Sequence, residues 1–426
     1  MNIRTFRIRA IRTIADLEWR LPTSVPSAGW HVIIGDNGSG KSSVLRSLAL
    51  TLVGPSEAPG LRQDWNDWLQ KGSKTGYIYL NVDDDKDYDH WEGKGRQLKK
   101  YYIGTALYFS REPDGIVRLV KPKTRNPFRT LWGGKSGWFS AAYGPFRRFT
   151  GGDKDTEKMF FSHPRLARHL SVFGENVALS ECLVWLQELR FKELEDKSAS
   201  SLLGAVTRFI NDSGFLPHDC RIDEINSKEV VFVDPKGCKV DVEELSDGFR
   251  AILSMTFELI RQMTVAFDEH LIFDPNDATR IVVPGVVLID EIDAHLHPTW
   301  QRRVGLWFRT HFPRMQFIVT THSPLACQAA DVGSVYRLPT PGSHQKAEMV
   351  TGKELDRLLY GNVLDAYGTE MFGANIARSE RSLYMSSRLA ELNQKEVYTG
   401  LSPEERVEQT ELRAALPSAG AVGASA

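Results

Sequence analysis

A run of residues from Gly35 to Ser43 has the composition of a phosphate-binding loop. It reads Gly-Asp-Asn-Gly-Ser-Gly-Lys-Ser-Ser and fits the pattern G-x-x-x-x-G-K-[ST]. Glycines let a tight turn point its backbone N–H groups at an anion. The Lys41 amine can reach the β- and γ-phosphates of a nucleotide, and the Ser42 hydroxyl can ligate Mg²⁺. The residues predicted to contact the nucleotide are Gly35, Asp36, Asn37, Gly38, Ser39, Gly40, Lys41, Ser42 and Ser43.

The sequence on either side of this loop predicts the elements that position it. The apolar run Trp30–Ile34 precedes the loop and indicates a buried strand, and Val44–Leu50 follows as a helix. A helix that starts near Lys41 directs the positive end of its dipole at a bound anion. Strand, glycine-rich turn and helix together predict a nucleoside triphosphate site, with ATP and Mg²⁺ as the cofactors.

A pair of carboxylates follows another apolar run late in the chain. Val286–Ile289 indicates a buried strand, and this strand ends in Asp290 and Glu291. At that position Asp290 would lie beside Mg²⁺. Glu291, one residue further on, could orient or deprotonate the attacking water. The pattern predicts a metal ligand at Asp290 and a catalytic base at Glu291.

Two further stretches carry a weaker signal on their own. Phe317–Thr321 indicates a buried strand that ends at His322, and ligands of open α/β folds bind at the carboxyl ends of strands. His322 is therefore predicted to sense the γ-phosphate. Ser246 and Gly248 precede the predicted helix Ala251–Met263, and a Ser/Gly turn ahead of a helix can bind an anion or simply cap the helix.

The composition limits the classes of protein to which the chain can belong. It has 426 residues with 53 basic and 54 acidic side chains, so the chain as a whole offers no field that attracts nucleic acid. Its 4 cysteines lack C-x-x-C spacing and indicate free thiols in a reducing compartment. We find no signal peptide and no apolar run of about 18 residues, and therefore expect a soluble, cytoplasmic protein.

Alternating apolar residues predict an antiparallel sheet in the first third of the chain. Two strands within residues 3–21 are joined by a turn near Arg9–Thr13, and Tyr77–Val82, Tyr102–Phe109 and Ile116–Lys121 follow as strands. The turn residue Arg12 could touch a nucleotide base, although a solvated arginine is the simpler interpretation.

Residues 118–148 combine basic and aromatic side chains in a glycine-rich context. Such a mixture can grip a nucleic-acid backbone or dock a protein partner, and an ordinary charged surface is the simplest explanation. The helices predicted within residues 156–212 show no sustained heptad repeat, which excludes a long coiled-coil arm. The basic and aromatic residues of interest are Arg118, Lys121, Lys123, Arg125, Phe128, Arg129, Trp132, Trp138, Arg147 and Arg148.

The order of these motifs resembles that of ABC-type ATPase heads. A phosphate loop is followed by Leu-Ser-x-Gly at 245–248, by a strand ending in Asp-Glu and by a strand ending in histidine. Asp-Glu-Ile-Asp-Ala-His-Leu-His-Pro at 290–298 is similar to the RecF/SMC/OLD branch. Leu-Ser-Asp-Gly-Phe-Arg at 245–250 and Ala-Tyr-Gly-Pro-Phe-Arg-Arg at 142–148 further resemble the Septu-type anti-phage defence ATPases, which also occur alongside retrons.

This resemblance implies a fold and a role for individual residues. The fold is α/β, an ABC-type P-loop ATPase head with a mixed sheet, an antiparallel β subdomain, a helical lobe and a helical carboxyl-terminal extension. Glu291 would be the catalytic base, Asp293 the D-loop residue across a dimer, and His322 the switch histidine. Ser246 and Gly248 would contact the γ-phosphate of ATP held by a second copy, so that neither site is complete in one chain.

Two departures from the family pattern affect the expected turnover. Position 247 is Asp where transporters carry Gly, which either places a negative charge near a phosphate or caps the helix. No glutamine has a clear Q-loop position, because Gln63, Gln70 and Gln97 are poorly placed, and residues 143–147 are the alternative for that region. We therefore expect slow hydrolysis.

The resemblance covers residues 1 to about 340 and defines the predicted domains. Residues 1–345 form the head, with 1–150 and 275–345 as its nucleotide-binding lobe and 151–274 as its helical signature lobe. Residues 346–415 form a helical extension that packs on the head or docks a partner. Residues 416–426 are predicted to be a disordered tail.

Family membership also implies assembly and partners. It implies a homodimer or higher homo-oligomer formed through ATP, which regulates a small HNH-type nuclease in phage defence. Contact with DNA or with a retron ribonucleoprotein is a further option, and no membrane is involved. The chain has no H-N-H triplet and no acidic Toprim pattern of its own. Two other classes of function stay open, a RecF/SMC-like DNA-repair ATPase and an ATP-gated scaffold with little turnover.

Overall fold

The computed structural model divides the chain into two compact units, Met1–Tyr360 and Gly361–Ala426. It describes residues 1–92, 103–120, 126–133, 137–147, 163–174, 181–195, 200–216, 219–226, 229–241, 246–343, 345–361 and 380–416. All but the first residue of the predicted tail 416–426 lie outside these residues. So do Gln97, Lys121, Lys123, Arg125 and Arg148.

The first unit combines strands with helices, whereas the described part of the second unit is helical. The strands are β1 (Asn2–Ile11), β2 (Ile14–Arg20), β3 (Gly29–Ile34), β4 (Thr75–Asp83), β5 (Ile103–Arg111), β6 (Val117–Val120), β7 (Ser140–Tyr143), β8 (Arg221–Ile225), β9 (Val230–Val233), β10 (Lys239–Asp241), β11 (Gly285–Ile289), β12 (Met315–Thr320), β13 (Gly333–Arg337) and β14 (Glu348–Met349). The helices of the described residues are α1 (Lys41–Val53), α2 (Pro164–Ala167), α3 (Glu181–Glu195), α4 (Ser200–Asp212), α5 (Asp247–Ala266), α6 (Pro298–His311), α7 (Pro324–Cys327), α8 (Gly352–Tyr360), α9 (Glu380–Tyr398) and α10 (Pro403–Ala415).

An antiparallel sheet of five strands has the order β2–β1–β4–β5–β6. Buried and exposed residues alternate along β2 and β4, so one face of the sheet packs on the core and the other meets solvent. Phe6 of β1 lies opposite Trp19 of β2, and the two rings stack with centroids 5.0 Å apart. The predicted antiparallel subdomain is thereby confirmed.

The second large sheet has the order β14–β13–β3–β12–β11–β7. Its strands pair in parallel except at the β13–β14 edge. Every residue of β3, β11 and β12 is buried, which explains why these strands show apolar runs without alternation. Because parallel strands end at the same edge, the segments after these three strands emerge side by side.

Helix α1 lies between the two large sheets. It contacts β1, β4 and β5 of the antiparallel sheet and β7, β11 and β12 of the mixed sheet. Its side chains are buried nearly all round, which accounts for the apolar residues that occur on every face of the helix. The helix that follows the phosphate loop is therefore fixed from both sides.

A buried glutamine links the two large sheets. Gln316 of β12 donates from Nε2 to the Ile3 carbonyl (2.8 Å) and accepts at Oε1 from the Ile3 N–H (2.6 Å). The pairing of β1 with β4 shifts register between Ile3 and Thr5, beside this contact. Both Gln316 and Ile3 are fully buried, so the side-chain amide supplies the partners that these backbone groups require.

The helical part of the first unit packs through aromatic side chains. Helices α3 and α4 and the small antiparallel sheet β10–β9–β8 occupy residues 181–241, and α5 follows. Phe209 of α4 and Phe215 contact Trp307 of α6, with ring centroids 5.8 Å and 4.4 Å apart. These contacts join the region before the signature to the helix after Asp290.

The second unit contains the helical pair α9 and α10. Arg388 of α9 donates to Glu408 of α10 (2.9 Å), and Ser402 caps α10 in a reciprocal box with Glu405. Gly400, with φ 79°, lies between the two helices, and Pro403 is the first residue of α10. The compact first unit extends to Tyr360 and includes α8, whereas the predicted head ended at residue 345.

Among the residues that the structure describes, no helix has both the length and the apolar character needed to cross a bilayer.

We expect Gln316→Leu to lower the free energy of unfolding by about 2 kcal/mol, because two buried backbone groups of Ile3 lose their partners. Urea unfolding followed by tryptophan fluorescence measures this change. Gln394→Leu, at an exposed position of α9, is the control and should change the unfolding free energy by less than about 0.5 kcal/mol. Equal effects of the two variants would contradict a link between the sheets through Gln316.

Candidate functional site

The phosphate loop connects β3 to α1 with backbone geometry that requires glycine. Gly40 is the N-cap of α1 and has φ 98° and ψ 14°, a left-handed conformation that L side chains rarely adopt. A Cβ at this position would lie 3.2 Å from Thr13 Oγ1 in the β1–β2 turn. The turn of the antiparallel sheet therefore supports the loop from one side.

Lys41 is buried at the start of α1 with its ammonium turned onto its own loop. Its Nζ donates to the carbonyls of Gly35 (2.7 Å) and Asp36 (2.9 Å). Burial lowers the pKa of the Lys41 ammonium, and the carboxylates of Glu291 and Asp290 act in the opposite direction. The structure thus brings the predicted lysine close to the predicted acidic pair, although they are about 250 residues apart in sequence.

The loop also contains groups that a phosphate could satisfy. Ser39 Oγ is buried and has no hydrogen-bond partner among the described residues. Asp36 accepts a hydrogen bond from Thr340 Oγ1 (2.8 Å), which holds the first part of the loop against the segment after β13. A lone buried hydroxyl, a buried ammonium and a helix N-terminus together fit an anionic ligand with several acceptor oxygens.

A threonine at the end of β12 orders the acidic pair at the end of β11. Thr320 Oγ1 donates to Asp290 Oδ1 (2.6 Å) and accepts the N–H of Glu291 (2.8 Å). Asp290 is buried, with its own N–H donated to the Tyr143 carbonyl of β7 (2.8 Å). The Asp290 carboxylate is consequently held in one direction, as a ligand of a divalent cation needs to be.

Glu291 has a left-handed backbone, with φ 47°. This conformation is costly for a residue with a Cβ and persists where neighbouring groups impose it. The buried guanidinium of Arg147 donates to the carbonyls of Asp290 (2.8 Å) and Glu291 (3.0 Å). Arg147 and Thr320 therefore hold the turn after β11 from two sides.

Asp293 connects this turn to the predicted switch histidine. Thr321 Oγ1 donates to Asp293 Oδ1 (2.6 Å), and the backbone N–H of His322 lies 3.4 Å from each carboxylate oxygen. The His322 imidazole is partly exposed at the carboxyl end of β12. The carboxylate of Asp293 contacts groups of its own chain, and a role across a dimer stays a prediction.

The signature turn packs against the segment that follows Asp293. A Cβ on Gly248 would lie 2.1 Å from the His295 carbonyl oxygen, so this position admits only glycine. Ser246 is the exposed N-cap of α5, but its side chain makes no capping hydrogen bond. Asp247 is the first residue of the helix and pairs with Arg250, which compensates the negative charge expected there.

The sequence interpretation gave Thr320 no role and considered Arg147 as a basic residue of segment 118–148. Thr320 belongs to the predicted strand Phe317–Thr321, and Arg147 also lies within residues 143–147, the alternative for the Q-loop region. Gln63, by contrast, donates its amide to the nearby Leu61 carbonyl (3.2 Å). The assignment of Arg147 required the parallel pairing of β7 with β11, which places residue 147 beside residues 290 and 291.

The simpler interpretation of Arg12 as a solvated residue is wrong. Its guanidinium carbon lies 4.7 Å from the ring centroid of Trp68, and its backbone N–H donates to the Trp68 carbonyl (2.7 Å). Burial, followed by the charge of Arg46, lowers the pKa of Arg12. Its contacts are therefore with the core of the antiparallel subdomain.

The proposed nucleic-acid segment 118–148 loses several of its members. Trp132 and Trp138 are buried and donate their indole N–H groups to the carbonyls of Thr51 (2.7 Å) and His90 (2.8 Å). Arg147 is committed to the turn after β11. Within the described residues, the segment therefore offers less basic and aromatic surface than its composition suggests.

A family model described as "AAA domain, putative AbiEii toxin, Type IV TA system" matches residues 58–327, more than half of the 426 residues. The chain belongs to this AAA family. The match begins after the phosphate loop, so the loop is identified by its own sequence and geometry.

Curated relatives confirm the predicted relation to defence ATPases. The chain is 25% identical over 339 residues to "Septu protein PtuA" of Bacillus mycoides (strain KBAB4), across 78% of this chain and 39% of that protein. It is 36% identical over 108 residues to "Retron Ec83 probable ATPase" of Escherichia coli, across 25% of this chain and 19% of that protein. The matches thus span less than half the length of these relatives.

A solved structure confirms the predicted fold of an ABC-type ATPase head. The chain resembles "Crystal structure of the SmcHead bound to the C-winged helix domain of ScpA", with a TM-score of 0.50 and 16% identity. The alignment covers 83% of this chain and 99% of that chain. The AAA-family chain therefore has the fold of an ATPase head and is similar in sequence to Septu and retron ATPases.

We expect Lys41→Ala to weaken binding of an ATP analogue by about 100-fold or more, because the buried ammonium and its charge-assisted contacts are lost. Isothermal titration calorimetry with a non-hydrolysable analogue measures the affinity. Lys74→Ala, at an exposed position before β4, is the matched control and should bind as the unmodified chain does. An unchanged affinity of Lys41→Ala would refute the phosphate-loop assignment.

Proposed function

We propose that this chain binds and hydrolyses ATP, assembles as a dimer with ATP between two heads, and regulates a partner nuclease of the HNH type in phage defence. The observation that carries the proposal is the convergence of Lys41, Asp290 and Glu291 at the carboxyl edge of the mixed sheet. An ATPase needs these chemical groups at one place.

Each of these residues has a separate task in the proposed reaction. Lys41 and the loop N–H groups bind and orient the phosphates, which lowers the entropic part of the barrier. Ser42 and Asp290 hold Mg²⁺, which when bound neutralises phosphate charge. Glu291 orients the attacking water and accepts its proton, and His322 contacts the γ-phosphate end of the site.

The dimer is supported by the state of the signature turn. The Ser246 hydroxyl is exposed at the start of a long helix and is not used as a cap by its own chain. A serine at a helix N-terminus with an uncommitted capping role suits an anion brought by another molecule. In the proposed dimer, Ser246 and Gly248 complete the ATP site formed by Lys41 of the second copy.

The partner nuclease is proposed from the relatives and from the chemistry of this chain. Septu and retron ATPases are among the related proteins, and the chain itself has no H-N-H triplet or Toprim pattern. An ATPase without nuclease groups can affect nucleic acid through a second protein. We propose the helical pair α9–α10 of the second unit as a docking element for that protein.

Two alternatives predict different measurements. A RecF/SMC-like repair ATPase should bind DNA in a strongly salt-dependent manner as the isolated chain, because phosphate contacts release counterions. An ATP-gated scaffold should bind ATP with hardly any turnover. The buried state of Trp132 and Trp138 disfavours the first alternative at segment 118–148.

We expect Glu291→Gln to retain ATP binding and to accumulate as the ATP-bound dimer, since a neutral amide keeps the shape of the side chain but cannot accept the proton. Size-exclusion chromatography with light scattering measures the mass with and without ATP. Lys41→Ala is the reference that should stay in its nucleotide-free state. Identical elution of Glu291→Gln in both conditions would contradict assembly through ATP.

We expect a mixture of Lys41→Ala and Ser246→Arg chains to regain turnover that neither variant has alone. In a two-fold dimer one site of each mixed pair then has both an intact lysine and an intact serine turn, giving up to about a quarter of the unmodified rate. A steady-state phosphate-release assay on the refolded or co-expressed mixture measures this rate. Lack of recovery, with mixed dimers present, would place both groups in one chain's site.

A further inference from the structure

Arg147 is a buried cation directly behind the turn that carries Asp290 and Glu291. The residue is 3% exposed although it follows an edge strand, β7. Burial lowers its pKa to about 10, and Asp290, Asp293 and Glu291 act in the opposite direction. The guanidinium therefore stays charged at neutral pH among three carboxylates.

The Arg147 guanidinium donates its hydrogen bonds to backbone carbonyls and not to the side-chain carboxylates nearby. Nη1 donates to the carbonyls of Asp290 (2.8 Å) and Gly144 (3.2 Å), and Nη2 donates to the carbonyl of Glu291 (3.0 Å). Nε is buried without a partner among the described residues. This fork joins the segment after β7 to two consecutive peptide groups, a geometry that a lysine ammonium cannot reproduce.

The two peptide groups that Arg147 holds are those that set the direction of the Glu291 side chain. Glu291 has φ 47°, and a left-handed residue with a Cβ tends to relax to negative φ when it is released. Thr320 fixes the N–H side of Glu291, and Arg147 fixes the carbonyl side. With either contact removed, the carboxylate can point elsewhere.

We propose that Arg147 is a positioning residue for hydrolysis: its fork holds the left-handed turn at Glu291 and so aims the carboxylate at the attacking water. This inference rests on the proposed ATPase function. Three N–H groups of Arg147 donate to backbone carbonyls of this turn and of Gly144, so the proposed role is exerted through the backbone of Glu291.

The test compares Arg147→Lys, which keeps the charge without the fork, with Arg147→Met, which loses both. We expect Arg147→Met to lower kcat by about tenfold or more while KM for ATP stays within about threefold, because near-attack geometry is lost and binding is not. Arg147→Lys should recover little of kcat, because one ammonium cannot hold both carbonyls. Equal kcat in all three proteins would overturn the proposal.

A second measurement separates positioning from loss of structure. In the Glu291→Gln background, Arg147→Met should change the residual rate by less than about twofold, because the group it aims is already gone. Arg309→Met is the matched control: Arg309 also donates to a backbone carbonyl, that of Ala329 (3.1 Å), but on α6. If Arg309→Met lowers kcat as much as Arg147→Met does, the proposed role is wrong. It is also wrong if Arg147→Met lowers the rate of Glu291→Gln by the same factor as it lowers the rate of the unmodified chain.

Hydrogen–deuterium exchange tests whether Arg147 holds the turn at Asp290 and Glu291, and it does not require ATP turnover. Arg147→Lys and Arg147→Met should speed exchange in a peptide spanning residues 288–294 and leave a peptide from α1 unchanged. If exchange at 288–294 is faster in the Arg147 variants and the unmodified chain binds ATP without hydrolysing it, the hold of Arg147 on the turn is supported and the ATPase function is rejected. Unchanged exchange at 288–294 in both Arg147 variants would show that Arg147 does not hold this turn, whichever function the chain has.

Discussion

The constraint on which the rest of the molecule depends is the parallel pairing of β3, β12 and β11. Because these strands run in one direction, the phosphate loop, the Thr320–His322 segment and the Asp290–Glu291 turn emerge at one edge of the sheet. Groups that are far apart in the chain come within the range of each other's charge, as the pKa of Lys41 reflects. Without this register there is no composite site.

At that edge, specific hydrogen bonds fix the turn that carries Asp290 and Glu291. The Thr320 hydroxyl donates to the Asp290 carboxylate and accepts a hydrogen bond from the Glu291 N–H. The buried guanidinium of Arg147 donates to two backbone carbonyls of the same turn. Such contacts are stronger in a buried setting than in water, and each would be costly to leave unpaired. The acidic turn is therefore held by side chains of its own chain.

The antiparallel subdomain and the helical part support this edge from different sides. Helix α1 is fixed between the two large sheets, and the β1–β2 turn closes on Gly40 at its start. On the other side Gly248 packs closely on the His295 carbonyl, which joins the signature turn to the segment after Asp293.

The sequence by itself determined the elements and the identity of the chemical groups. The apolar runs that end before Gly35, Asp290 and His322 could be recognised as strands because a buried parallel strand does not alternate apolar and polar residues. The candidate functional residue follows each run directly. Only the tertiary structure decided that Arg147 lies behind Glu291 and that Trp132 and Trp138 are buried. The physical reason is that these depend on the pairing of β7 with β11 and on packing between distant segments, which no local period encodes.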